Sequence, residues 1–251
     1  MSRTGDGYLV RSLAETHRAG GRIPRHEHPW GQLAYATRGV MRVITPGAAW
    51  LAPPTRAIWL PPYVPHEILM QGETAMRTLY LAPEQAADLP TETAVLEVSP
   101  LLRELILHIL GVGMLDPNVP EHDRLAGLLN DLLVKARPQD LFLPLPRDSR
   151  AMALATHLQA APGDRADLAG LAREAGASLR TLQRLFPAET GLTLEAWRQK
   201  ARLISAVAAL SGGASVTSAA LDCGYDSVSA FITAFKRQFG VTPGRYRPAV
   251  G

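Results

Sequence analysis

The chain has 251 residues, 47% of them hydrophobic and 20% charged, enough apolar material for one large core or two ordinary ones, which excludes wholesale disorder. The single cysteine, Cys223, excludes an intrachain disulfide, and no stretch reaches the roughly 18–20 uninterrupted apolar residues of a membrane span. Net charge is only +3, but residues 150–251 hold 12 Lys and Arg against 7 Asp and Glu, whereas residues 1–149 hold 14 against 16. The difference, +5 against −2, suits a polyanion-binding tail behind a near-neutral module. The opening MSRTGDGYLV lacks the basic start and apolar run of a secretory leader, so the expectation is a soluble, cytoplasmic protein with no membrane partner.

From residue 8 to residue 81 the apolar runs are short: Leu33-Ala34-Tyr35, Met41-Arg42-Val43-Ile44, Ala57-Ile58-Trp59-Leu60, Glu67-Ile68-Leu69 and Met76 through Leu81. Arg38-Gly39, Pro46-Gly47, Pro53-Pro54, Pro61-Pro62 and Gln71-Gly72 separate them with turn chemistry. Short strands at this spacing predict an antiparallel sandwich or barrel, placed at 1–90. The period then changes. Leu101, Leu102, Leu105, Ile106 and Ile109 recur at three and four residues, as do Leu125, Leu128, Leu129, Leu132 and Leu133, which predicts two amphipathic helices in a connector at 91–137. Their stripes serve either packing against the barrel or a dimer seam, along Leu101, Leu105, His108 and Ile109 or along Leu125, Leu128 and Leu132. Residues 138–150, with Pro144 and Pro146 close together, read as a linker, and 151–251 as all helix.

Within 165–175, Leu168, Leu171 and Ala172 share one face; after Gly176, Ser178 can cap a second helix over 179–189. Leu182, Leu185 and Phe186 form that helix's inward stripe and leave Arg180, Thr181, Gln183 and Arg184 outside. Arg can donate two hydrogen bonds to guanine and Gln can match the edge of adenine, so this pattern is that of a major-groove reader. The arrangement then recurs: a long helix at 194–210, Gly212-Gly213, a short helix at 216–223, Gly224 as the turn, and a helix from Ser227 to residue 239. Phe231, Phe235 and Phe239 are spaced by four on its inward side, while Ser229, Ala230, Thr233, Lys236 and Arg237 face out.

The strings LRTLQRLFPAETGLTLEAWRQKARL and AALDCGYDSVSAFITAFKRQFGVTPGRYR resemble the AraC/XylS-type DNA-binding domain. The matching positions are Gly224-Tyr225, Ser227, Phe231, Phe235-Lys236, Phe239-Gly240, Thr242-Pro243 and Tyr246-Arg247, and the resemblance covers about the last hundred residues. It implies two helix-turn-helix units joined by one rigid helix, with recognition helices in successive major grooves of double-stranded DNA. Carried over by position, Arg180, Gln183 and Arg184 with Ser229, Ala230 and Thr233 read bases, while Ser227, Lys236 and Arg237 contact phosphate. Ala230 and Thr233 are small, which points the second unit toward affinity more than specificity.

At the front, Gly20, His26-Glu27-His28, Gln32 and Gly39 resemble the first cupin motif, and Pro61 and His66 the second, with Tyr63 in place of its usual Gly and Met70 in place of its last ligand. The resemblance implies that His26, His28 and His66 face one cavity, where neutral imidazoles can hold one divalent Zn, Ni, Fe or Cu ion, or line an effector pocket without metal. Trp30, Gln32, Tyr35, Trp59 and Tyr63 are the candidate walls of that pocket. Gln32 stands where cupins carry a Glu ligand and leaves no evident general base.

The expected class is therefore α+β: an N-terminal cupin-like β-barrel sensor with two connecting helices, then an all-α double helix-turn-helix domain. The expected function is an effector-controlled transcriptional regulator, activator or repressor, acting as a homodimer and touching RNA polymerase, with no required cofactor. The alternatives are a metal-dependent cupin enzyme and a repressor that needs no effector.

Overall fold

The structure, a computed structural model, describes residues 7–247; most of the decapeptide examined for a leader lies outside them. The chain divides into two compact units. The first takes in residues up to 46 and 50–140, the second residues 47–49 and 141 onward.

In the first unit the elements run β1 (Val10–His17), β2 (Arg22–His26), β3 (Gly31–Thr45), β4 (Ala48–Ala52, of which residues 48 and 49 count with the second unit), β5 (Arg56–Leu60), β6 (His66–Leu81), β7 (Ala94–Glu97), α1 (Pro100–Val112), β8 (Met114–Leu115), α2 (Pro120–Val134) and β9 (Pro138–Gln139). The hydrogen-bonded path is β8-β1-β6-β3-β5-β7-β9, with β2 added on β6. The path has two ends, so the sheet is not the closed barrel expected from the short runs. The runs themselves fuse: Leu33 to Tyr35 and Met41 to Ile44 belong to one fifteen-residue strand, and β6 spans sixteen.

Arg38-Gly39 and Gln71-Gly72 are accordingly not turns. They lie inside β3 and β6, at irregularities in the β3–β6 pairing between Ala36 and Val40. Gly39 has φ 78°, and a Cβ on it would lie 2.4 Å from the Glu73 carbonyl oxygen, so only glycine fits this bulge. The bulge allows one strand to serve two partners in turn: β6 pairs β1 from Thr74 to Leu81 and β2 from His66 to Leu69.

One face of this sheet, carrying Val10, Leu33, Tyr35, Ala57, Trp59, Leu79 and Leu81, forms a single core with Leu102, Leu105, Ile106 and Ile109 of α1 and Ala126, Leu129 and Leu133 of α2. Ser99 caps α1, its hydroxyl accepting from Leu102 N at 3.2 Å, and Pro100 opens it. Of the positions weighed as a dimer seam, Leu105 and Ile109 are spent in this core, whereas Leu101 (57% exposed), Leu128 and His108 face outward.

The second unit comprises β10 (Phe142–Pro144), α3 (Ser149–Ala160), α4 (Leu168–Glu174), α5 (Leu179–Thr190), α6 (Leu194–Ser211), α7 (Val216–Asp222), α8 (Val228–Phe239) and a 3₁₀ turn, Pro243–Tyr246. The segment read as a linker is built in: Leu141, Leu143 and Leu145 are buried, Trp197 donates its indole N–H to Pro144 O at 2.6 Å, and the Lys200 ammonium sits over Phe142. Ser178 and Ser227 cap α5 and α8 by accepting from the N–H three residues on. Cys223 ends α7 in the interior, where burial pushes its thiol up to about 11. Among the described residues no helix is long and apolar enough to cross a membrane.

Candidate nucleic-acid interface and sensor site

In the first helix-turn-helix, α4 packs on α5, and Leu182 and Phe186 are buried with Trp197, whose ring meets Phe186 edge-on at 5.3 Å. That packing leaves Arg180, Gln183 and Arg184 exposed on α5, with Thr181 partly covered. The Thr181 hydroxyl is tied to Ser178 Oγ at 2.8 Å, and the Gln183 amide reaches Glu195 Oε1 at 3.4 Å, while nothing among the described contacts holds the Arg180 and Arg184 guanidiniums.

The second unit repeats the design with α7 and α8. Phe231 and Phe235 are fully buried in an aromatic column with Tyr225 and Tyr246, and Phe239 closes it half-buried. Outside lie Ser229, Ala230, Thr233, Lys236 and Arg237. Thr233 turns its hydroxyl back to the Ser229 carbonyl at 3.0 Å, so its methyl is what it offers outward. Ser227 is committed as the cap, its oxygen accepting from Ala230 N at 3.2 Å. All ten sequence-selected positions thus sit on or at the start of the second helix of a pair, away from the core.

In the first unit His26, His28 and His66 converge: one ring nitrogen from each lies within 4.8 Å of the others. His26 ends β2 and pairs in register with His66 at the start of β6; His28 lies beyond the strand and is held by Tyr63 N–H donating to its carbonyl at 2.8 Å. Each Nδ1 is 2.8 Å from a backbone carbonyl, that of Pro24, Trp30 or Val64 respectively, which leaves the three Nε2 atoms as the ring nitrogens not spent on those carbonyls. His66 is 1% exposed and its Nε2 has no partner in the structure. Burial, with smaller contributions from the neighbouring His26 and His28, lowers its pKa to about 4.

Gln32 lies against this cluster, its Oε1 3.1 Å from His28 Nε2 and its amide N–H donating to Thr78 Oγ1 at 3.1 Å and toward the Tyr80 hydroxyl at 3.5 Å. Tyr80, which the sequence reading did not select, stacks edge-on to His28 at 5.2 Å. Trp30 receives the Arg11 guanidinium at 4.2 Å, and Tyr63 is 60% exposed with φ 60°, a left-handed conformation where the cupin motif carries glycine. Tyr35 and Trp59 do not belong here. Both are 1% exposed in the core shared with α1 and α2, and the Trp59 indole N–H donates to Pro90 O. The strand register explains the difference: Gln32 and Tyr80 are directly paired, so their odd-numbered neighbours Leu33, Leu79 and Leu81 take the opposite face.

Residues 9–155 match the family described as AraC-like ligand binding domain, and residues 171–249 match the helix-turn-helix domain family. The chain is also 35% identical over 223 residues to the HTH-type transcriptional regulator NimR of Escherichia coli K12, covering 89% of this chain and 81% of that one. The chain belongs to the AraC family. Like other AraC-family regulators, it joins a DNA-binding helix-turn-helix domain to an N-terminal ligand-binding domain that is an antiparallel sheet. A second relative, the HTH-type transcriptional regulator RipA of Corynebacterium glutamicum, is 35% identical over 103 residues, 41% of this chain and 31% of RipA. Among solved structures, ToxT from Vibrio cholerae O395 aligns over 95% of this chain and 96% of its own at 12% identity, with a TM-score of 0.40.

Proposed function

We propose that this regulator is controlled at the imidazole cluster of its first unit, where a divalent transition-metal ion, alone or with a small ligand completing its coordination, acts as the effector. The observation that carries the reading is the buried, unpartnered Nε2 of His66 facing two further imidazoles whose Nδ1 atoms are already oriented by backbone carbonyls. Hydrogen bonds from the other ring nitrogen to a backbone carbonyl fix which nitrogen is offered to a metal. An unpartnered buried nitrogen is costly until something occupies it. Metal–imidazole bonds of about 2.0–2.1 Å need the three rings drawn slightly together and His28 released from Gln32.

Zn, Ni, Fe and Cu all accept such a donor set. The Gln32 amide offers no basicity beside it, which favours a sensor over a hydrolytic or isomerising enzyme. In the second unit α5 supplies base readout through Arg180, Gln183 and Arg184, while α8 contributes Lys236 and Arg237 to phosphate and Ala230 and Thr233 to thymine methyls. We further propose a cytoplasmic homodimer that uses the outward Leu101 and Leu128 and meets RNA polymerase at its promoters.

The test is equilibrium dialysis of the full chain against Zn²⁺, Ni²⁺, Fe²⁺ and Cu²⁺ in turn, followed by mobility shifts on duplexes selected by the protein itself. One ion should be retained per chain and should change duplex affinity, and His66→Ala should abolish both responses while leaving metal-free binding intact. A chain that retains no ion, or a DNA response that survives His66→Ala, removes the metal reading.

A further inference from the structure

The loop joining α3 to α4 is fastened to the turn between α7 and α8, far along the chain. Gly163 passes so near that turn that a Cβ on it would stand 2.4 Å from the Asp222 carbonyl oxygen, and a Cβ on Gly224 would lie 3.2 Å from Gly163 O. Arg202, in the middle of α6, donates through Nε to Pro162 O at 2.9 Å and through Nη2 to Asp164 O at 3.2 Å; Arg198, one turn earlier, donates to the same Asp164 carbonyl. Arg165 bonds Asp226, the residue before the α8 cap, at 2.8 Å. From the other side His157 of α3 pairs with the Asp164 carboxylate at 2.8 Å, whose second oxygen accepts from Ala166 N at 2.7 Å.

We propose that residues 161–166 are a clasp that fixes α5 and α8 relative to each other and thereby sets which spacing of two major-groove elements the protein accepts. Along the chain the two helix-turn-helix pairs are joined by α6, and α6 reaches α7 through Gly212-Gly213, the latter at φ 97°. A glycine pair is a pliant joint. The loop enters ahead of the first helix-turn-helix and grips the turn of the second, which converts a single hinge into a two-point attachment.

None of the clasp contacts uses Arg180, Gln183, Arg184, Ser229 or Thr233, so base readout and spacing are held by separate residues. Rigid linkage matters because the second helix binds at an effective concentration set by how narrowly it is held. One inserted base pair displaces the second element by about 3.4 Å and turns it by about 35° around the axis.

This inference rests on the reading that both α5 and α8 meet DNA. The experiment uses the full chain and a duplex selected from a randomised library, with derivatives in which either element is scrambled or one base pair is inserted between them. Wild-type protein should lose affinity when either element is scrambled and at least about tenfold more on insertion than the clasp variants do. Gly163→Ala and Arg202→Met should bind the duplexes with one element scrambled as wild type does, yet lose about tenfold on the intact duplex and most of the discrimination against insertion.

Arg202→Met leaves the backbone approach unaltered and serves if Gly163→Ala fails to fold, as thermal melting will tell. Equal losses on one-element and two-element duplexes, or an unchanged spacing preference in folded Arg202→Met protein, overturn the clasp. If scrambling one element leaves the wild type unaffected, the two-helix reading falls first and the clasp with it.

Discussion

At the scale of single residues, the placement of histidine and tyrosine side chains decides what the sensor site is. His66 was legible because its spacing from Pro61 repeats a known motif; Tyr80 was not, because nothing in an alternating strand says which neighbour it will face. Tyr35 and Trp59 misled for a related reason. Residues 31–36 of β3 are all buried, so parity along the strand no longer marks an inside and an outside.

The depressed pKa of His66 makes stability depend on pH in a definite direction. The unfolded imidazole takes up a proton near 6.5 and the folded one only near 4, so in metal-stripped protein stability is full above about 6.5, falls as pH drops between those values, and levels off below. The whole fall is on the order of 3 kcal/mol. Urea midpoints measured from pH 7.5 to 4 in the presence of a chelator should show this loss in the wild type and a smaller one in His66→Gln; parallel curves for the two would contradict the assignment.

At the scale of elements, the helical tail was more transparent to sequence, since most of its helices carry their own start signals and α5 and α8 their own stops. Ser178, Thr193, Ser215 and Ser227 cap in place, and Gly191 and Gly240 end α5 and α8 in the left-handed conformation. Pro187 within α5 is tolerated although it leaves the Gln183 carbonyl without its ladder donor, because Leu182 and Phe186 hold the helix down on either side of that gap.

The strands were less transparent. Glycine inside a strand and glycine in a turn look alike in sequence, and only the long-range β3–β6 pairing makes Gly39 a bulge. Gly39→Ala should therefore cost more than the ~1 kcal/mol typical of an exposed position, about 2 kcal/mol or above, since it combines a positive φ with a backbone clash. Thermal or urea unfolding checks this, and a loss below about 0.5 kcal/mol would return Gly39 to an ordinary turn.

At the scale of the whole molecule, the basic excess belongs to the tail, +5 over residues 150–251 against −2 before them. Affinity for any duplex should accordingly fall steeply with salt, because cations on the protein displace condensed counterions from phosphate. Two substitutions separate that general attraction from readout. Lys236→Ala should weaken binding to all sequences alike and reduce the salt slope by about 1, whereas Arg184→Ala should relax preference at one base position by about 1–3 kcal/mol and alter the slope little. Fluorescence anisotropy over a salt series with a matched and a substituted duplex distinguishes the two, and the reverse pattern would exchange their roles. The change of period, from alternation to threes and fours, falls inside the first unit and marks α1 and α2, not the division near residue 140; the clasp was invisible, because residues 161–166 carry no motif and acquire meaning only where the chain returns to them 61 residues later.

The seclusion of Cys223 has a practical corollary for anyone wishing to watch this regulator move. With its sulfur protonated and enclosed, a maleimide dye or nitroxide offered to the native protein finds no competing endogenous nucleophile of the same kind. A pair of cysteines introduced at the exposed positions Ala188 of α5 and Thr217 of α7, neither of them assigned to DNA readout, becomes a clean ruler for the span between the two helix-turn-helix units, in solution and on DNA.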